Sequence, residues 1–276
     1  MAEKNLVPKL TAAQILRTLE DNLVAKKICN LTAAGEIKNK GDSITFPGLA
    51  DPTISTYTGS VDYEKLQDSG VTLYVDQADY FAFEVDDIEK YQATIDAKSS
   101  QATRAAYGLQ HKADKFILSK YADAGLKAAT GDVTVTESNV LSTLAQFEKK
   151  LMEHNAQNEK LWMVMPPFVK VFLQLAGVKF QINNGINGTG GLAWTEDLGY
   201  ELYISNCLTI KSGKVQVLAG TKNAIVFADQ ITDTETLRLE SKFADAVRGL
   251  HVYGAKVIKP LELVTASFIE GTPSGI

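Results

Sequence analysis

"TLYVDQADYFAFEVDDIEKYQ", Thr72 to Gln92, opens as an aromatic-rich strand and closes as the start of a polar helix, with two aspartates at the join. The run Tyr80 to Val85 has strand composition, whereas Asp86 is placed to cap a helix and Glu89 follows it three residues later. Asp87 and Glu89 set negative charge beside the positive end of the helix dipole, so a helix is expected to begin near Asp87. A β ribbon that runs straight into a long helix is the reading from which the rest of the fold is built.

Downstream, Ile88, Tyr91, Ile95, Ala102, Ala106, Leu109, Ala113 and Phe116 form a stripe at helical spacing. Lys112, Lys115 and Lys120 come where the negative helix end is expected, and only Gly108 interrupts before Gly125. At 1.5 Å per residue such a helix spans roughly 50 Å. Its stripe is thin and alanine-rich, which leaves much of its surface to solvent or to other chains.

Upstream, from Gly41 to Val85, lie the short β runs SITF, TISTYT, VTLYV and YFAFEV, punctuated by Pro47, Gly48, Pro52, Gly59 and Gly70. They read as a long, irregular hairpin that reaches several tens of ångströms at ~3.3 Å per residue. An isolated ribbon is marginal in water and needs a neighbouring domain or subunit to support it. Before it, Thr11 and Gln14 stand in capping-box positions, followed by Ile15, Leu19, Leu23 and Ile28. This amphipathic helix has too little apolar surface around it to fold alone, so it reads as an arm that something else must cover.

The later sequence has α/β character. A helix carries Val140, Leu141, Leu144, Phe147 and Leu151 on one side, and Leu161 to Met165 reads as a buried strand. Pro166 stops that strand, and a short apolar helix runs from Phe168 to Leu175. INNGINGTGGLAWTEDLG reads as a Gly/Asn loop; YELYISNCL, KVQVLAG and AIVFADQI are strand candidates. TETLRLES and AVRGLHVYGAKVIKP follow with a turn expected near Lys242 to Ala246, and the tail EGTPSGI reads as frayed.

Composition narrows the function. The chain has 276 residues, 45% apolar and 22% charged, and its mean hydropathy of -0.06 is that of an ordinary globular protein without a membrane span. MAEKNLVPKLTAAQ lacks the features of a secretory signal, so synthesis in a cytoplasm is expected. A net charge of -5 and a pI near 5.4 argue against a phosphate-binding role and suit a protein that surrounds nucleic acid without adhering to it. Cys29 and Cys207 lack a second cysteine at ligand spacing and read as buried thiols.

No reaction centre emerges. His111, His154 and His251 are isolated in sequence, without a partner at zinc-type spacing. The glycines of Gly185 to Gly191 miss both the phosphate-loop ending and the dinucleotide spacing, so the segment reads as a flexible loop. Ser205 and Cys207 have no histidine assignable to them, and helix capping accounts for Asp86, Asp87 and Glu89 without invoking paired catalytic carboxylates. No catalytic, cofactor-binding or metal-ligating residue is assigned, and no cofactor; the chain is not expected to be an enzyme.

The order of parts is more telling than any one motif. In "LYVDQADYFAFEVDDIEKYQ", "AAYGLQHKADKFIL", "LWMVMPPFVKVFL", "GYELYISNCL" and "ESKFADAVRGLHVYGAKVIKP", the chain resembles tailed-bacteriophage major capsid proteins, whose α+β shell fold is shared with herpesviruses. The resemblance implies an N-arm at residues 1–41 and an extended β-hairpin E-loop at 42–85 that lies across an adjacent subunit. It implies a P domain from the spine helix and following loop at 86–131 and return strands at 231–255. An A domain at 132–230 takes its closing strand and tail from 256–276, with the Gly/Asn loop at the five- or six-fold centre.

The function so implied is structural: assembly into pentamers and hexamers of an icosahedral shell around double-stranded DNA, enclosed without sequence-specific binding, in a virion made in a bacterial cytoplasm. Partners would be further copies of the chain, a separate scaffolding protein, a portal protein and, as an option, a decoration protein, with no membrane. The arm begins close to Met1, hence the separate scaffold, and the A domain has no room for an inserted β domain. Some relatives crosslink an E-loop Lys to a P-domain Asn; Lys65 sits in the corresponding region, but nothing marks its partner, and crosslinking is not expected. The alternatives are a nanocompartment shell of the same fold, an oligomeric enzyme, or a virion surface binding module.

Overall fold

The computed structural model describes residues 24–32, 41–46, 56, 70–86, 96–154, 160–177, 192–195, 200–239 and 243–272. The expected helix starts at Thr11 and Asp87, all of TISTYT but Thr56, Lys65 and the Gly185 to Gly191 loop lie outside the described residues.

Along the chain, a short helix α1 (Val24–Ile28) precedes strands β1 (Ser43–Phe46), β2 (Val71–Tyr74) and β3 (Gln77–Asp86), then the long helix α2 (Asp96–Leu118). A 3-10 turn at Ser119–Asp123 leads to the short strands β4 (Leu126–Lys127) and β5 (Val133–Val135), helix α3 (Val140–Glu153), strand β6 (Leu161–Met165) and helix α4 (Pro167–Leu175). Strands β7 (Leu192–Thr195), β8 (Tyr200–Ile204), β9 (Ile210–Lys211), β10 (Lys214–Thr221), β11 (Ile225–Arg238), β12 (Ala244–Val257) and β13 (Leu263–Glu270) complete it.

These form an eight-stranded sheet ordered β4-β13-β10-β6-β8-β7, with β5 also on β13 and β9 on β10, a three-stranded sheet β11-β12-β3, and a two-stranded ribbon β1-β2. The large sheet is mixed, since β6 runs parallel to β8 but antiparallel to β10. Its period-2 alternation feeds two cores. Leu161, Met163 and Met165 of β6 join Val217, Ala219, Val264 and Phe268 beneath α3 and α4. Trp162 and Val164 face the opposite core, shared with Ala113, Ile117, Phe227 and Tyr253. With both faces covered, all five β6 residues are buried, which is why the strand reads as an unbroken apolar run. Pro167 sits in the first turn of α4, where its missing N–H costs nothing.

Several expectations are corrected. β3 pairs with β12 from Gln77↔Tyr253 to Asp86↔Ala244, so YFAFEV belongs to the three-stranded sheet and the hairpin proper closes on β1 and β2. AIVFADQI and TETLR are one strand, β11, continuous through an irregularity between Ile231 and Asp233. Of the turn expected at Lys242 to Ala246, the residues Ala244 to Ala246 are instead the first of β12, and Lys242 lies outside the described residues. LAWT, read as loop, is strand β7, while YELYISNCL is strand only through Ile204. On α3 the buried side holds Val140, Leu144, Phe147 and Leu151 but not Leu141, which is 40% exposed. On α2 the buried side includes Gln110, Asp114, Ile117 and Leu118 beside the expected Leu109 and Ala113. Phe116 lies at its margin, packed against Tyr253 with ring centres 5.5 Å apart.

The end of the arm docks on its own chain. Val24, Ile28 and Cys29 are buried with α2 and β11, the Asn30 N–H donates to the Ile225 carbonyl at 2.8 Å, and the Phe227 N–H donates back to Asn30 at 3.0 Å. The ribbon base rests on a third cluster, in which Leu73 and Val75 meet Val226, Ala228 and Val252. There β2 crosses β12 at Gly254, where a Cβ would stand 2.6 Å from the Tyr74 carbonyl oxygen. Only glycine permits that approach without backbone movement, which accounts for the glycine of HVYGAKV.

Candidate assembly surface

The long helix, the arm and the three-stranded sheet meet at two carboxylates. Asp229 of β11 accepts a salt bridge from Lys26 of α1 at 2.8 Å, and its Oδ2 lies 3.3 Å from Nε2 of His251 on β12. Asp79 of β3 takes Lys112 of α2 on Oδ1 and the Tyr253 hydroxyl on Oδ2, both at 2.7 Å. The His251 and Tyr253 rings lie 4.9 Å apart, joining the two groups.

Alternation explains why polar groups sit inside. Asp229 interrupts an otherwise apolar stretch of β11, and its side chain is only 7% exposed. Burial pushes the Asp229 carboxyl upward, but the His251 hydrogen bond and the charge and hydrogen bond of Lys26 outweigh it, holding the group below its ordinary range. Asp79 behaves alike: burial raises its carboxyl, and the Lys112 and Tyr253 hydrogen bonds with the Lys112 charge bring it below the usual value. Stripping either carboxylate of its partners would leave a poorly solvated charge, so the arrangement locks five elements together.

Along the ribbon and the three-stranded sheet the surface is left apolar in places. Tyr74 is 66%, Tyr80 78% and Phe243 84% exposed. On the outer face of the three-stranded sheet, Tyr80 stands in register with Leu250, and Leu237 with Ala246, around the Arg248–Glu235 ion pair at 2.6 Å. The inner face carries Phe81 and Phe83, stacked 6.0 Å apart, and Gly249, above which the Phe81 ring passes. An exposed tyrosine beside exposed leucines on one sheet face is the mark of a contact surface.

The residues weighed for chemistry are dispersed. His251 is not isolated: it is fully buried against Asp229, a partner 22 residues away that linear spacing does not assign. His154 caps the end of α3 and His111 lies beside Tyr107 on α2. Cys29 and Cys207 are both buried free thiols, and burial, with the Asp114 charge, pushes the Cys29 thiol far upward, away from the reactive thiolate. Ser205 accepts the Cys207 N–H at 3.1 Å in a local turn. Among the described residues no group of three or more His, Cys, Asp or Glu gathers as for a metal ion. No described helix is long and apolar enough to cross a membrane.

Sequence reasoning missed the junction. Its only signals were an Asp inside an apolar strand and another beside the aromatic run, with partners 174 residues away in the Asp79–Tyr253 case.

A scan of protein-family models finds no match to the chain, and neither does a search of curated proteins. Solved structures do match. A structure from Mycobacterium phage Che8 is 26% identical, covers 89% of this chain and 90% of its own, and superposes with a TM-score of 0.70. The mature capsid of bacteriophage PhiM1 gives a TM-score of 0.64 at 10% identity, over 91% and 88% of the two chains. A virus-like particle from Pyrococcus furiosus gives 0.57 at 14% identity, over 93% and 97%. The fold is the α+β fold of phage major capsid proteins, and a capsid-type shell protein is the functional class that it supports.

Proposed function

We propose that this chain is a structural, non-enzymatic major capsid protein that assembles into pentamers and hexamers of an icosahedral shell enclosing phage double-stranded DNA. The observation that carries the reading is the breadth of the likeness: about nine-tenths of this chain and of the phage chains superpose, leaving little outside the shell fold. The eight-stranded sheet with α3 and α4 is read as the A domain, and the β11-β12-β3 sheet with α2 as the P domain. The ribbon based on β1 and β2 is the E-loop, ending before Gln77 because β3 pairs with β12. The A and P domains meet along β11, near its irregularity at Ile231/Asp233.

The net charge of -5 favours a wall that encloses DNA without binding it, and the exposed Tyr80 and Phe243 favour contacts with sister copies. A separate scaffolding protein, a portal and a decoration protein complete the proposed partners, in a virion assembled in the host cytoplasm.

Sedimentation with negative-stain microscopy of the expressed chain, with and without a candidate scaffold, tests this. Megadalton shells are expected, and small discrete oligomers under all conditions would refute it. Shells holding protein cargo and no nucleic acid would instead establish a nanocompartment.

A further inference from the structure

Two nitrogens share one carboxylate oxygen at the root of the small sheet. Oδ2 of Asp229 lies 2.8 Å from Nζ of Lys26, on the arm, and 3.3 Å from Nε2 of His251, on β12. His251 is fully buried, and Nδ1 on the other side of its ring has no hydrogen-bond partner among the described residues. The neutral imidazole therefore donates its Nε2–H to Asp229, and Nδ1 keeps a lone pair open to a proton. The other charged groups around the ring are Asp79 of β3, opposite His251 in register, Lys112 of α2 on that carboxylate, and Asp76 before β3. Asp114 of α2 bears instead, after burial, on Cys29 and Cys207. Asp79 and Asp229 are held below the ordinary carboxyl range, and burial, then Asp79 and Asp76, push the Tyr253 hydroxyl upward. None of these three changes charge between about pH 8 and 5, the window in which an imidazole ordinarily titrates.

We infer that Asp229 latches the arm by an exchange of counter-charges: Lys26 neutralises it while His251 is neutral, and a protonated His251 takes over when Lys26 leaves, so that acid loosens the arm. With a neutral imidazole and no Lys26, Asp229 would be a nearly buried carboxylate without an opposite charge, which keeps the arm docked at neutral pH. A proton on Nδ1 sets a positive charge beside the same oxygen, and Asp229 stays paired after Lys26 has gone. In the docked state Lys26 repels that second charge. The state with the arm lifted therefore binds more protons, and by linkage docking weakens as pH falls. Val24 and Ile28, buried when docked, then become available to another chain. The inference goes beyond the shell reading and does not depend on it.

Cys29 supplies the readout, because it is fully buried at the end of the arm, while Cys207 of the same core lies off the arm and reports opening of the body. The unassembled full-length chain is treated with a dipyridyl disulfide, and the labelling rate of each cysteine, read by peptide mass spectrometry, is divided by that of the urea-unfolded chain at the same pH. Corrected Cys29 labelling should rise about tenfold from about pH 7.5 to 5, with Cys207 changing less than about twofold, since tenfold corresponds to one pKa unit between docked and lifted states. Lys26→Met should label fast at both pH values. His251→Gln, which keeps a donor but has no titrating nitrogen, should label slowly at both. A parent whose Cys29 labelling ignores pH would overturn the inference, as would Cys29 and Cys207 accelerating together. Retention of the parent's pH slope in either variant would do the same, and Lys26→Met decides the matter alone if circular dichroism shows that His251→Gln does not fold.

Discussion

Two central strands, β6 of the large sheet and β12 of the small one, are held by different physics. All of β6 is buried between two apolar cores, with helices α3 and α4 beyond one of them. β12 changes character along its length. From Val247 to Leu250 it alternates buried and exposed, while from His251 to Ala255 every residue is buried. At that change stand His251 and Tyr253 with the carboxylates of Asp229 and Asp79. The large sheet is stabilised by dry packing from within the chain. The small sheet is pinned at its base by directed polar contacts, and its far half offers an open face. A shell subunit needs both: a body that keeps its shape and a projecting part whose angle is fixed at the root while its surface awaits a neighbour.

The largest expected effect falls on the dry side. Phe147 is fully buried and meets Phe268 edge-on, with ring centres 5.9 Å apart. Phe147→Ala should cost about 3–5 kcal/mol, read as a fall in the urea midpoint of the unassembled chain at unchanged m-value. A cost below about 1 kcal/mol would mean that this core collapses around the gap, and the contrast between the sheets would be lost.

Next comes the pinned side. Asp229→Asn keeps the shape but leaves Lys26 without its counter-charge, in a place where its side chain is 12% exposed. We expect a cost of about 2–3 kcal/mol, since breaking a buried pair strands the remaining charge. Because Lys26 ties the arm to β11, proteolysis near residues 24–32 should speed up as well. Loss of global stability with no change in arm protection would show that Asp229 acts through the sheet alone.

Legibility in the sequence follows the same division. Leu161 to Met165, stopped by Pro166 and followed by α4, was readable because a strand covered on both faces is apolar throughout and the prolines mark its end. The pairing of β3 was not. Alternation in YFAFEV shows that a strand exists, whereas its partner, Ala244 to Tyr253, lies far along the chain and no turn links them. The same limit hid the junction, because periodicity reports which side of an element is apolar but not which distant polar group will meet an aspartate on it. Leu141 failed for a finer reason: on α3 it follows the buried Val140, at the rim of the stripe, and one residue of rotation moves it into solvent.

The smallest effect should separate the two carboxylates from each other. Lys112 pairs with Asp79 at 2.7 Å, but its side chain is 63% exposed, so solvent screens the pair and the ammonium remains hydrated if the contact breaks. Lys112→Met is therefore expected to cost only about 0.5 kcal/mol, well under Asp229→Asn. The pH dependence identifies the cause. The Asp79 carboxyl is held below its ordinary value of 3.8, so its contribution is complete above that value and disappears as pH falls through the lower, folded value. The difference between parent and Lys112→Met should stay constant from about pH 8 to 5 and shrink below about pH 4 as the carboxylate protonates. A difference that persists undiminished once the pH is well below the folded value could not come from the ion pair, because the carboxyl is by then neutral. It would place the role of Lys112 in the packing of its methylene stem along β3, and the root of the small sheet would then be drier than its charges suggest.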